Sequence, residues 1–317
     1  MMTVGNVNVT WEQLFMTLYT SVMNMLYELG GVPDWDEPAE DGLTYAQLAM
    51  RNALDRKMYF VATYHGADDL GITLSEQDLA DIQSDFESYA AEQGGEQVFM
   101  AMLWEVEGIR NREMFDYMFG ANTLMLAIFA TAFGENGEFL SDEAVAAHTA
   151  DDGYLMAKQI MLVKYEDESE ESWQLEAIEE ILQLLQEYDG GDFEGYFTEI
   201  MHEVSMDPEL EYFPNGYLFR YDEFPEEFSS ITASLEPGGI SGIWETDYSF
   251  HIILRLPIDY DAIPLEYIDS QEYYSLRYAT AVAMFDELFE TWINSLTPEY
   301  TPEFHTIDFS ILFQPDN

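Results

Sequence analysis

Five histidines, no cysteine and a large surplus of carboxylates set narrow limits on the chemistry this chain can carry. Without a thiol there is no disulfide, no thiolate metal site and no cysteine nucleophile. The histidine in the least ordinary setting is His251, alone among apolar residues in Tyr248-Ser249-Phe250-His251-Ile252-Ile253. An imidazole can exchange a proton near neutrality, yet a lone histidine on an apolar strand is by default a core residue with satisfied hydrogen bonds. His65, His148 and His305 stand isolated, and His202-Glu203 lacks the second ligand four residues on that a helical zinc site needs. Asp207 precedes Pro208, a setting in which a carboxylate caps a turn. Phe224 and Phe228 are spaced i, i+4, which suits core packing and an aromatic pocket wall equally well. No calcium loop, P-loop, dinucleotide fingerprint or nucleophile elbow occurs. Neither a metal nor a cofactor is expected.

The 317 residues are enough for about two domains with separate cores. Apolar residues make up 48%, including 21 Phe, 21 Tyr and 6 Trp, which excludes a disordered chain. Ten Lys and Arg against 63 Asp and Glu give a net charge of −53. No basic face can be assembled to neutralise phosphates, so nucleic acid is excluded as a partner, and an anionic membrane surface repels the chain. Two settings produce such acidity: a high-salt habitat, or secretion with solubility maintained by self-repulsion. The abundant aromatics and 17 Met favour the second. The longest apolar run, Leu124 to Phe133, is about half of the ~20 residues that a spanning helix requires. Met1-Met2-Thr3 leads directly into a turn and a polar strand, without the basic flank of a signal peptide.

The elements follow from periodicity and caps. Residues 3–10 read as a short extended piece with a Gly-Asn turn. Thr10 and Gln13 then form a capping box ahead of a helix with Trp11, Leu14, Phe15, Leu18, Val22 and Met25 on one face. Helices are predicted over Tyr45–His65, from the Ser75 cap to Gly94-Gly95, and over Gln97–Glu107, Arg112–Phe133 and Ser141–Ala150. Together they argue for an all-α bundle over residues 10–155. At Tyr154 the period changes. A strand (YLMAKQIMLVKY) is ended by the acidic run Glu166–Glu171, and helices follow over Ser172–Tyr188 and Phe193–His202. Residues 216–256 add a strand, a helix, a Gly-rich turn and a last strand. The order β-α-α-β-α-β-β predicts a small antiparallel sheet flanked by helices, an α+β architecture. Pro257 to Pro264 reads as a linker. Gln271–Leu296 reads as an amphipathic helix whose broad apolar stripe must pack back on the N-terminal bundle, and 303–313 as a short strand or extended docking segment.

Residues 215–256, NGYLFRYDEFPEEFSSITASLEPGGISGIWETDYSFHIILRL, resemble the C-terminal half of a parvulin-type peptidyl-prolyl isomerase domain. Upstream, LGITLSEQDLADI, GGEQVFMAML, REMFDYMFGANTLML and LSDEAVAAH resemble, in that order, the helical N-terminal region of extracytoplasmic foldases of the PrsA/SurA type. The resemblance implies a helical chaperone-like domain over 1–155, a parvulin-like domain over 156–257, and a linker, helix and tail over 258–317 that return to the first domain. It implies an isomerase and folding helper for unfolded or Pro-containing polypeptides, acting outside the cytoplasm, secreted or anchored through a segment absent from this sequence. A catalytically weak or silent holdase is the alternative.

Residue by residue, the resemblance places His251 on the last strand and Asp207 (in Val204-Ser205-Met206-Asp207) facing the substrate carbonyl. Leu218, Phe224, Phe228 and Tyr248 become the proline cup. The family's first strand carries Ala-x-His-Ile-Leu; here Ala157-Lys158-Gln159-Ile160-Met161 substitutes Gln159 for the first of two facing histidines. A glutamine can donate and accept but cannot share a proton with His251, which bears on catalytic strength. Phospho-specific parvulins carry a basic cluster after the first strand. Here Lys164 is followed by Tyr165-Glu166-Asp167-Glu168, which repels a phosphate, so no phosphopeptide preference is expected.

Overall fold

The computed structural model describes residues 1–164, 168–269 and 273–314. The chain opens with β1 (Met2–Val4), β2 (Val7–Val9), α1 (Trp11–Leu29), α2 (Tyr45–Leu70), α3 (Glu76–Glu92), α4 (Glu96–Glu107), α5 (Arg112–Phe133) and α6 (Asp142–His148). Next come β3 (Tyr154–Val163), α7 (Glu168–Glu187), α8 (Phe193–Val204), β4 (Tyr217–Arg220), α9 (Glu226–Ser234), β5 (Trp244–Glu245), β6 (Ser249–Leu256) and α10 (Leu265–Asp269). It closes with α11 (Leu276–Ser295), β7 (Pro298–Tyr300) and α12 (Phe309–Leu312). The class is α+β. Contacts gather the chain into two compact units, Met1–Glu135 with Ala283–Asn317, and Asn136–Val282. The second unit is wider than the 156–257 read from sequence, because α6 and the segment after β6 pack with the sheet.

In the first unit, side-chain caps fix where helices begin. Thr10 accepts from the Gln13 amide at 3.3 Å while the Gln13 side chain accepts from Thr10 N at 3.0 Å; Thr44 with Gln47, and Ser75 with Asp78, repeat the device. Such caps contribute about 1 kcal/mol each. The aromatic surplus goes into the core: Phe86, Phe99 and Phe115 meet edge-on or tilted at 5.0–6.0 Å between centroids. Besides helices there is a three-stranded sheet, β2-β1-β7, in which Met2 pairs with both Val9 and Tyr300. Within this unit lie the later turns of α11, with Phe289 and Trp292. A Cβ at Gly66 of α2 would sit 2.3 Å from the Trp292 ring, so only glycine permits that contact. The tail departs from expectation: the strand lies at Pro298–Tyr300, and 303–313 forms a 3-10 turn and α12, with Phe309 and Phe313 packed around Trp35.

In the second unit, four antiparallel strands are ordered β4-β3-β6-β5. Alternation divides the side chains of β3 between two cores. Met156, Ile160 and Leu162 face a cluster built with Ile178, Leu185, Phe197 and Met201 of α7 and α8. Leu155 and Ala157 face a smaller cluster with Tyr217, Phe219, Phe228 and Ile253. The run expected at Glu166–Glu171 and the helix start expected at Gln271 fall partly outside the described residues, and α11 is described from Leu276.

Candidate active site

β4 pairs with β3 only over Tyr154–Ala157. Beyond that point the loop after α8 covers the same edge of β3: Met206 N donates to Met161 O at 2.7 Å, and Met161 N donates to Ser205 Oγ at 3.1 Å. This stitching delivers Asp207 to Gln159. A tight turn then returns the chain to β4 at Gly216, whose φ of +97° and 2.6 Å approach to the Ala157 carbonyl admit no side chain.

On the opposite edge β3 pairs with β6, and the register sets Met161 against His251 and Gln159 against Ile253. Partners across an antiparallel ladder share a face, so His251 and Gln159 lie on the face of the smaller core. His251 Nδ1 is 2.9 Å from Gln159 Oε1, and its Nε2 is 2.7 Å from Ser249 Oγ. The Gln159 amide nitrogen donates to Asp207 Oδ2 at 2.7 Å, which leaves its oxygen to accept from His251. The network therefore assigns the Nδ1–H tautomer, with Nε2 accepting from Ser249. Tyr217 adds a second donor to the same carboxylate oxygen at 2.7 Å, and Glu209 N donates to Oδ1 at 3.1 Å. Donors run in one direction from Ser249 to Asp207, an order in which each bond polarises the next.

Burial governs the protonation states. His251 is 6% exposed under the Trp244 ring, 4.6 Å between centroids. Desolvation pushes its pKa down from 6.5 to about 4, against a smaller upward pull from Asp207. The imidazole is neutral at physiological pH. The Tyr217 hydroxyl is shifted well upward, first by burial and then by the Asp207 carboxylate it donates to. It stays a donor.

Beside Asp207 opens a cavity of about 480 Å³. Gln159, Asp207 and Glu209 supply its polar rim, and Phe213, Tyr217, Phe224, Leu265 and Tyr212 its walls. Phe224 stacks on Phe228 at 4.7 Å. The first unit holds larger hollows, of about 650 Å³ beside Trp35 and about 640 Å³ along Met50 and Tyr300, but neither adjoins a buried polar relay. Among the described residues no three acidic or histidine side chains gather as metal ligands.

Of the residues singled out from sequence, His251, Gln159, Asp207 and Phe224 come together. Of the four residues read as the proline cup, three do not line the cavity. Leu218 points to the other face of the sheet, into the core with Ile160 and Phe250. Phe228, 1% exposed, lies beneath Phe224 as its support. Tyr248 is 78% exposed in the β5–β6 turn, held by its backbone to Thr246 and Lys164. Sequence reading missed Tyr217, Phe213, Tyr212, Glu209 and Leu265. A signal existed for Tyr217: strand alternation from Gly216 puts either Tyr217 and Phe219 or Leu218 on the site face, and only the former pair includes a hydroxyl that can reach Asp207.

Residues 161–256 match the family model for the rotamase, or PpiC-type PPIase, domain. Among solved structures, the chain is similar to the peptidylprolyl isomerase PrsA from Bacillus cereus, at 12% identity over 89% of this chain and 99% of that one, TM-score 0.34. PrsA from Bacillus anthracis aligns at 15% identity over 76% and 97%, TM-score 0.29. The foldase PrsA from Lactococcus lactis aligns at 10% identity over 99% and 98%, TM-score 0.32. No curated protein matches the chain. Superposition at these TM-scores is too partial to argue from, and the weight rests on the family match.

Proposed function

We propose that this chain, which carries a PpiC-type peptidyl-prolyl cis–trans isomerase domain over residues 161–256, turns X–Pro bonds of client polypeptides in the cavity beside Asp207. The observation that carries the reading is a buried relay, Ser249–His251–Gln159, ending on a carboxylate at the lip of an aromatic hollow. A pyrrolidine ring fits against Phe224, Phe213 and Tyr217. The barrier of about 18–20 kcal/mol comes from amide resonance, which is strongest in the planar, polar form. Aromatic walls that exclude water favour the twisted, less polar amide, and a carboxylate near the carbonyl opposes the negative charge that resonance places on its oxygen. Each ~1.4 kcal/mol of such preference is tenfold in rate.

In this reading Asp207 and Phe224 are catalytic residues, while Gln159, His251 and Tyr217 hold the carboxylate in place. Gln159 substitutes for a histidine without loss of the connection, because its amide bridges His251 and Asp207 at once. The clients are unphosphorylated, since a phosphate beside the proline would face Asp207 and Glu209. They are polypeptides rather than nucleic acid, given the −53 charge. The acidity and the absence of cysteine suit a folding helper outside the cytoplasm; no helix among the described residues is long and apolar enough to cross a membrane.

Proline-limited refolding of a denatured client tests the reading. The wild type should accelerate the slow phase, and Asp207→Ala should slow it back by tenfold or more. Suppressed aggregation with an unchanged slow phase would instead identify a holdase.

A further inference from the structure

One wall of the cavity comes from outside the span that matches the isomerase family. Leu265 opens α10, nine residues past the end of the match at 256, and faces the hollow with Phe224 and Tyr217. It joins the smaller core as a partly buried side chain. A five-residue helix is too short to hold itself in place. What holds it is the next residue. Glu266 accepts from the Tyr154 hydroxyl at 2.5 Å and pairs with an Arg220 guanidinium nitrogen, also at 2.5 Å. Tyr154 and Arg220 are cross-strand partners at the end of β3 and β4, so one carboxylate bridges two strands of the sheet. Glu266 is also the better shielded partner, its side chain 20% exposed against 41% for Arg220. Bidentate use of the carboxylate fixes its direction as well as its place.

Resting on the isomerase reading above, we infer that Leu265 is a substrate-contacting residue and that Glu266 is its positioning residue. The segment after β6 works as a fixed wall that completes the proline cup. An apolar wall touches the pyrrolidine ring alike in its cis, trans and twisted states. Its loss therefore weakens binding of all three and raises KM, leaving kcat close to the wild-type value.

The test is steady-state isomerisation of an unphosphorylated X–Pro peptide by the full chain, with KM and kcat resolved. Leu265→Ala should raise KM about fivefold or more with kcat within about twofold, by loss of apolar contact. Leu265→Met should restore most of the affinity. Glu266→Gln, which keeps an acceptor for Tyr154 but loses the ion pair, should raise KM in the same direction. The double variant Leu265→Ala/Glu266→Gln should then be no worse than Leu265→Ala, because the glutamate acts through the leucine. An unchanged KM in Leu265→Ala, or additive effects in the double variant, would overturn the inference while leaving the isomerase reading intact. A wild type inert toward every X–Pro peptide would overturn both.

Discussion

Gln159 stands between His251 and Asp207, accepting from one at 2.9 Å and donating to the other at 2.7 Å. A second histidine in its place could also join the two, but with a proton free to change sides. The amide cannot reverse its donor and acceptor ends without losing both bonds. The relay is thus locked in one donor–acceptor pattern, and the carboxylate keeps a fixed orientation.

Tyr217 shares Asp207 Oδ2 with Gln159. Tyr217→Phe removes one donor from a carboxylate that keeps two others, at a net cost of about 1 kcal/mol. We expect kcat/KM to fall about fivefold with the fold unchanged by circular dichroism. Full activity in this variant would show that Asp207 needs no support from β4.

Two neighbouring apolar residues separate packing from binding. Leu218→Ala should cost about 2–5 kcal/mol of unfolding free energy and leave KM unaltered, because its side chain lies in the core on the far face. Phe224→Ala should do the reverse, with a large rise in KM and a smaller loss of stability. Denaturant titration alongside peptide kinetics distinguishes them.

The buried imidazole makes stability pH-dependent. With a folded pKa of about 4 against an ordinary 6.5, His251 binds its proton more readily in the unfolded chain. Its contribution is fully present above about pH 6.5 and is lost as pH falls toward 4. The urea midpoint of the wild type should drop over that window, and by less in His251→Gln.

Lys57 provides a second window, in the other unit. It is completely buried, its Nζ has no hydrogen-bond partner, and it lies 4.8 and 4.9 Å from the ring centroids of Phe60 and Tyr117. Desolvation lowers its pKa from 10.5 to about 7. Between those values the unfolded chain holds a proton that the folded one lacks, so stability rises as pH climbs from about 7 to 10.5. Lys57→Met should raise the unfolding free energy at pH 7, by an amount on the order of several kcal/mol at most, and flatten the rise.

How far the sequence reaches depends on the kind of signal. Capping boxes at Thr10 and Ser75 are local and chemical, and the helices begin where those residues say. His251 stands out as one polar residue in an apolar strand, but the strand alone reads it as a core residue, and only the resemblance made it a site candidate. Leu218 entered the cup through the resemblance alone; alternation along Tyr217-Leu218-Phe219 sets it on the face opposite Tyr217, whose hydroxyl marks the site side. Tyr248 sits only one residue before β6, where the ladder no longer decides which way a side chain turns. Leu265 was invisible for a different reason. The segment 257–264 reads as a linker, and the ion pair that returns α10 to the sheet joins residues 46 positions apart, Arg220 and Glu266.

The most direct measurement is exchange NMR on a short peptide with one unphosphorylated X–Pro bond, comparing wild type with Asp207→Ala. Wild-type protein at catalytic concentration should bring cis–trans exchange into the observable range, and the variant should reduce that acceleration by at least about tenfold, a loss of ~1.4 kcal/mol of transition-state preference. Equal acceleration by both proteins, or none by either, would contradict a site built around Asp207.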